Sequence, residues 1–261
     1  MDPLFTNFVR SNDITFKYAR GISDRSGKEF HPFHEIIYFL DGDAEFISEH
    51  LHMKLQPKTL LVIPRETYHQ MLIQGDQQRY HRCALQFTSH AGLGWHSPGI
   101  MALHADEELR YLFGKLIGLS KQPENHAPAL LNALLTLLLD TLQHKEQITD
   151  RKDLQSAFIR QVTDYINDHV EEKLHLAQIA DALNVSVSSL SHIFKKEMNI
   201  SLHKFILKKR LINAHHMIAA GSPATEAAAQ CGFADYSGFY KQYKKMFGTS
   251  PSQEQPIESG A

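Results

Sequence analysis

The sequence predicts an α+β multidomain protein, β-rich in its first part and all-α in its second. Three observations predict it. Residues 30–87 hold short apolar runs parted by turn residues, residues beyond about 106 hold apolar side chains at spacings of three and four, and nothing after Leu154 alternates as a strand does. The length of 261 residues suits two domains, since one domain takes roughly 100–200.

The β runs are residues 36–40, 44–47, 52–55, 60–63, 70–73 and 81–87. Asp41-Gly42-Asp43, Gln56-Pro57 and Gly75-Asp76 separate them. Many short strands parted by Gly, Pro and Asp predict a sandwich or barrel. Residues 88–98, with Gly92, Gly94 and Pro98, read as irregular.

A helix begins near Asp106, where Leu109, Leu112, Phe113, Leu116 and Ile117 make one apolar face. Pro123 and Pro128 end it and precede the next, in which Leu130, Leu134, Leu135, Leu138 and Leu142 keep the period. Leu131, Leu137 and Leu139 widen that stripe. Two uses fit it: packing against its own domain, or an interface between subunits. The charged stretch 147–154 lacks periodicity and reads as a linker.

Helices follow over 155–169, 176–183, 187–198, 202–220, 224–230 and 236–247. Two pairs share one plan. Leu176, Ile179, Ala180 and Leu183 line a short helix, Asn184-Val185-Ser186 turns, Ser186 caps, and Leu190, Ile193 and Phe194 bury the next helix. About fifty residues on, Ala227, Ala228 and Cys231 line a second short helix. There Gly232 suits the left-handed end of a helix, Asp235 caps, and Phe239, Tyr243 and Phe247 anchor. Each pair is a short helix, a tight turn and a helix with a polar outer face, the pattern of a helix-turn-helix. The helix between them places Phe205, Leu211, Ile212 and Met217 inside and Lys204, Lys208, Lys209 and Arg210 outside.

Composition narrows the function classes. With 43% apolar and 21% charged residues, the chain is neither disordered nor collagen-like. Its longest apolar run, residues 133–139, is interrupted by Thr136 and stops at Asp140, far short of the ~20 residues that cross a bilayer; no membrane partner is expected. The start MDPLFTNFVR has no signal-peptide pattern. Cys83 and Cys231, far apart, suit a reducing cytoplasm. Net charge is −2, yet residues 155–252 carry 11 Lys+Arg against 8 Asp+Glu, while residues 1–154 carry 16 against 19. Such asymmetry points the second half toward nucleic acid.

Residues 155–251 resemble the DNA-binding domain of the AraC/XylS family of transcription regulators. The resemblance is carried by Ile179-Ala180, Ser186, Leu190, Phe194-Lys195-Lys196, Arg210-Leu211, Ala214, Gly232-Phe233, Asp235, Phe239, Tyr243-Lys244-Lys245, Phe247-Gly248 and Ser250-Pro251. It implies two recognition helices entering successive major-groove segments on one face of double-stranded DNA, about one helical turn or ~34 Å apart. It implies Ser188, Ser191 and His192 toward bases from the first unit, and Tyr236, Ser237, Tyr240 and Lys241 from the second. Lys195, Lys208, Arg210 and Lys244 are the expected phosphate contacts. Three positions depart from the family pattern: His192 stands where Arg is usual, Ala227-Ala228 replaces a large apolar residue and Ala, and Glu254-Gln255 replaces an aromatic residue and Arg. The residues 155–252 are thus expected as the DNA-binding domain and 253–261 as a flexible tail.

The segment 31–69 resembles the cupin-type effector domain of many regulators of this family, through His31, Glu35, Tyr38, Gly42, the strand pair around Pro57, Pro64 and His69. The resemblance implies a cupin-like β-barrel over 1–146, carrying the dimerisation helices, whose interior holds a ligand or a metal. His31, Glu35, Tyr38 and His69 are the candidate effector-binding residues. Three roles stay open for the His and Glu side chains: lining for an organic effector, a structural place in the barrel wall, or a metal site. Metal cupins usually separate their first two histidines by one residue, and His31-Pro-Phe-His34-Glu35 breaks that spacing, so no metal or other cofactor is expected.

The function expected is sequence-specific transcription regulation, as an activator controlled by a small-molecule effector, working as a cytoplasmic homodimer, with RNA polymerase a further fitting partner. One alternative is a ligand-independent regulator whose first domain only dimerises or meets a partner. The remote alternative is a cupin metalloenzyme. No nucleophile–base pair or phosphate loop supports an enzyme, so no catalytic residue is assigned.

Overall fold

The structure is a computed structural model that describes residues 5–11, 13–21, 30–88, 99–122, 127–145, 154–170 and 174–253. Residues 92, 94 and 98 of the expected irregular stretch, residue 123, residues 147–153 of the expected linker and the tail from 254 lie outside the described residues. The chain divides into two compact units, Met1–Leu154 and Gln155–Ala261.

In the first unit, β1 (Phe5–Ser11) and β2 (Ile14–Arg20) form a hairpin that the sequence reading leaves out, and β9 (Met101–His104) is likewise additional. The strands β3 (His34–Asp41), β4 (Asp43–Ser48), β5 (His52–Lys54), β6 (Thr59–Ile63), β7 (His69–Gln74) and β8 (His81–Phe87) fall where the apolar runs lie. One sheet has the order β1-β2-β8-β3-β6-β9 and the other β5-β4-β7. Neighbouring strands are antiparallel throughout.

Strand β6 is buried on both faces, which explains why it reads Thr-Leu-Leu-Val-Ile without polar alternation. Ile36, Tyr38, Leu60, Val62, Cys83, Leu85 and Phe87 face the helices α1 (Glu107–Ser120) and α2 (Ala127–Gln143). Ile37, Phe39, Leu61, Ile63 and Ala102 share the opposite core with Phe46, Met53 and Met71 of the smaller sheet. Asp106 caps α1, its carboxylate accepting from Leu109 N at 3.0 Å. Leu131, Leu134, Leu135, Leu138, Leu139 and Leu142 of α2 are buried in this same core, while Leu130 and Leu137 stay 49% and 48% exposed. Burial contributes about 2 kcal/mol per large aliphatic side chain, so most of the leucine stripe is committed to its own unit.

Gly42 turns β3 into β4. Its φ of 122° and the 2.9 Å from a would-be Cβ to Tyr80 Cα admit only glycine there. Leu154, expected in the linker, instead makes an antiparallel bridge with Leu51 in the first unit.

The second unit contains, among the described residues, α3 (Ala157–Asp168), α4 (Leu176–Ala182), α5 (Val187–Met198), α6 (Leu202–Ala219), α7 (Ala224–Gln230) and α8 (Tyr236–Phe247). Four of these helices, α3, α5, α6 and α8, start on side-chain caps: Ser156, Ser186, Ser201 and Asp235 each accept from a backbone N–H three residues on. Leu211, Ala214 and Ile218 of α6 pack with Ala227, Ala228, Cys231, Phe239 and Tyr243. Cys83 and Cys231 are both buried. No helix among the described residues is long and apolar enough to cross a membrane.

Candidate functional site

Each unit presents one cluster that chemistry singles out. In the first, the period of two along β3 decides which side chains meet. Glu35 points with Ile37 and Phe39 toward the smaller sheet, whereas His34, Ile36 and Tyr38 point the other way. Tyr38 therefore does not join the expected effector site: its ring lies 4.7 Å from that of Phe113 on α1. The other three candidates do converge. His31 lies on the segment leading into β3, His69 opens β7, and Glu35 stands between them.

Two backbone links bring the segments together. Glu66, with φ of 62°, donates its N–H to His31 O at 2.7 Å, and Arg65 N donates to His34 Nδ1 at 3.4 Å. Both imidazoles then reach the same carboxylate oxygen, His31 Nε2 standing 3.4 Å and His69 Nε2 3.3 Å from Glu35 Oε2. The other oxygen, Oε1, accepts from Gln86 Nε2 at 2.8 Å. On their far sides, His31 Nδ1 is 2.7 Å from Phe33 O and His69 Nδ1 is 3.1 Å from Thr67 O. All three side chains are buried. Phe33 stacks on the His31 ring at 3.9 Å, and Phe46 lies 6.2 Å from the His69 ring. Burial alone would raise the Glu35 carboxyl. The hydrogen bonds and charge of His31 and His69 outweigh it and hold the group well below the usual carboxylate range. One ligand atom from each of the three lies within 4.8 Å of the others, so they are the residues able to hold a cation.

Sequence reasoning missed Gln86, Phe33 and Glu66 at this site. Gln86 sits opposite Glu35 in the β3–β8 register. That pairing spans fifty-one residues and leaves no local trace in sequence.

In the second unit, α5 and α8 carry the other candidates. On α5, Ser188, His192 and Lys195 are exposed and Ser191 is half-buried. On α8, Tyr236, Ser237, Lys241 and Lys244 are exposed and Tyr240 is half-buried. Lys195 and Lys196 close α5, and Lys244 and Lys245 close α8, where positive charge opposes the helix dipole. Lys208 lies half-buried on α6.

Arg210 departs from its expected outward place. Its Nη2 donates to Leu174 O at 2.9 Å, and its guanidinium carbon stands 3.2 Å from where a Cβ on Gly232 would be. It shares a cavity of about 310 Å³ with His175, His203 and Ile206. The reason is helical phase: position 210 falls on the face of α6 that carries 203, 206 and 207, not on the face of Lys204 and Lys208. Arg210 thus braces the entry of α4 against the exit of α7.

Comparison with known proteins follows the same division. Residues 11–139 match the model of the AraC-like ligand binding domain, and residues 179–255 match a helix-turn-helix domain. The chain is 27% identical over 140 residues to the probable transcriptional regulator LumQ of Photobacterium leiognathi, covering 52% of this chain and 56% of that one. It is 21% identical over 146 residues to the HTH-type transcriptional activator RhaS of Klebsiella pneumoniae, covering 56% and 52%. The chain thus spans about half the length of these curated relatives. Among solved structures, ToxT of Vibrio cholerae with bound unsaturated fatty acid is similar, with a TM-score of 0.39 and 13% identity over 96% of this chain and 93% of that one.

Proposed function

Since the chain belongs to the AraC family of transcription regulators, we propose that it is itself a DNA-sequence-reading regulator, an activator, with a small-molecule site in its first unit. The observation that carries this is the doubled helix-turn-helix: two side-chain-capped helices, α5 and α8, each with a polar and basic outer face. Ser188, Ser191 and His192 of the first, and Tyr236, Ser237, Tyr240 and Lys241 of the second, face base edges, where directed donors and acceptors give discrimination. Lys195, Lys208 and Lys244 meet phosphates and supply affinity without sequence information. Arg210 is left out of this set because its guanidinium is already engaged within the unit.

His31, Glu35 and His69 supply the polar end of the effector site, and the match over residues 11–139 to a ligand-binding model supports that placement. Two copies of the chain pair through Leu130, Leu137 and Tyr111, the exposed apolar side chains on α1 and α2. Leu130 and Leu137 are the remainder of the leucine stripe after its inner members are buried. The protein works in the cytoplasm, contacts RNA polymerase at its promoters, and is not an enzyme.

The test is selection of genomic fragments by the purified full chain, followed by footprinting of those retained. One or a few promoters protected over two adjacent major-groove segments is the expected result, with affinity falling steeply as salt rises. Indifference to sequence in a folded sample overturns the reading. Replacement of both His31 and His69 by Ala should abolish the response to the inducing condition and leave the footprint in place. Sedimentation of the Leu130→Glu and Leu137→Glu double variant as a monomer, against a dimeric parent, checks the pairing.

A further inference from the structure

We infer that Val187 and Tyr236, the first residues of α5 and α8, each read the 5-methyl group of a thymine in the major groove. The inference rests on the DNA-reading function proposed above and names what that surface selects at two positions.

Ser186 caps α5 and Val187 opens it, while Asp235 caps α8 and Tyr236 opens it. The two residues hold the same place in the doubled plan, though neither the caps nor the opening residues share a type. Among the described residues of the second unit they are also the large apolar side chains left exposed, at 40% and 39%. A single exposed apolar side chain is ordinary on any protein surface. Its recurrence at one position of both helix pairs, and nowhere else among those residues, asks for a shared cause. The Tyr236 ring leans on Phe239 and Tyr240, with centroids 5.7 and 6.4 Å away, which steadies it at the helix start without covering it.

Helical phase aims both toward the groove. Val187 lies four residues before Ser191, and Tyr236 four before Tyr240, so each extends a row of base-facing candidates by one turn. Cα–Cβ bonds in a helix tilt toward its N-terminus, and the N-terminal residues of a recognition helix are those that meet base edges. Lysines close the other ends, Lys195 and Lys196 on α5 and Lys244 and Lys245 on α8, where phosphates are the fitting contacts.

Chemistry then limits what Val187 can read. It has no donor or acceptor, so it bonds neither a phosphate nor the polar edge of a base. Base edges in the major groove offer one apolar group, the thymine 5-methyl. Contact buries both hydrocarbons and leaves no polar atom unpaired. At that spot a cytosine amino group or a purine N7 would lose water and gain nothing from valine. Tyr236 offers similar apolar surface through its ring. Val187 is absent from the base-facing set above, which holds only residues with donors or acceptors. Two recognition helices one DNA turn apart thus select two thymines about 10 base pairs apart. Each buried methyl is worth about fourfold in affinity.

The experiment uses the full chain and the genomic fragment it protects most strongly. Thymines in the two protected segments are replaced one at a time by uracil, which removes the methyl and nothing else. Expected is one position in each segment where uracil weakens binding by about 3–5-fold. V187S should bind the thymine duplex about as weakly as the parent binds the uracil duplex. It should lose nothing further on uracil at the first position and keep the loss at the second. Y236S should show the reverse. Cytosine at the first position should weaken the parent, and 5-methylcytosine, which returns the methyl, should recover part of that loss. Should V187S not fold, the uracil and 5-methylcytosine scans of the parent decide alone. A footprint with no uracil-sensitive thymine, or with the same uracil penalty in parent and V187S, overturns this inference and leaves the regulator standing. A folded chain with no preferred fragment overturns both.

Discussion

Helix α4 is buried through Ile179 and Ala180, a branched side chain beside a methyl, whereas α7 offers Ala227 and Ala228, methyls alone. The helix that follows compensates. In the first helix pair, α5 buries Leu190, Phe194 and Met198. In the second, α8 buries Phe239 and Tyr243 completely, with Phe233 edge-on to Phe239 at 5.0 Å and Phe247 4.6 Å from Tyr243. The turns differ in the same spirit. Asn184, with φ of 53°, makes the first, and Gly232, with φ of 77°, makes the second. One backbone plan is thus filled once by aliphatic side chains with a single ring, Phe194, and once almost wholly by rings. What the plan fixes is volume and turn geometry, not residue type.

The comparison breaks most readily at the rings. Phe239→Ala should cost ~3–5 kcal/mol by chemical denaturation, and about 1 kcal/mol more than Leu190→Ala, because several rings lose their partner at once. Equal losses would mean that α8 is no more dependent on aromatic packing than α5. On DNA, Lys241→Ala should cost ~1–3 kcal/mol and relax preference at one or two base positions, read by competition with variant duplexes. Lys208→Ala should weaken every sequence alike and lower the salt slope by about 1. Identical behaviour of the two would move Lys241 from bases to phosphates.

Smaller effects sharpen the turns and caps. Gly232→Ala should destabilise by ~1–2 kcal/mol, since its backbone is left-handed and the Arg210 guanidinium occupies the space a Cβ needs. Asn184→Gly should be near neutral in the same thermal-melt assay, because its φ suits glycine as well. Ser186→Ala and Asp235→Ala should each cost about 1 kcal/mol. Asp235 is expected to cost more, its carboxylate lying only 2.7 Å from Gly238 N at a helix N-terminus.

Legibility in the sequence followed the range of the interactions. The second unit's helices were readable nearly to the residue, because Ser186, Asp235, Asn184 and Gly232 announce helix ends locally. Strands β3 to β8 were readable because Gly42, Pro57 and Gly75 punctuate them. The β1–β2 hairpin was not, although Ile14, Phe16 and Tyr18 alternate with Thr15, Lys17 and Ala19. Its evidence lies in pairing with β8, some seventy residues away. The interior cluster was half legible: His31, Glu35 and His69 stood out by chemistry, but whether they meet depends on the register of β3 against β8 and on the link from Glu66 to His31. Tyr38 and Arg210 went astray for one reason. A residue's type suggests a role, while strand parity or helical phase decides where it points.

Strand β3 has β6 on one edge and β8 on the other, and it is apolar on both faces through Ile36, Ile37, Tyr38 and Phe39. A chain is made from its N-terminus at about 5–20 residues per second. The forty-six residues between the end of β3 and the end of β8 therefore take roughly 2–9 s to synthesise. Through that interval β3 exists without its central neighbour, an oily ribbon with one open hydrogen-bonding edge. Nascent chains of this protein are accordingly at their stickiest when about a third of the molecule has been made. Slower translation between residues 41 and 87 would lengthen that exposure.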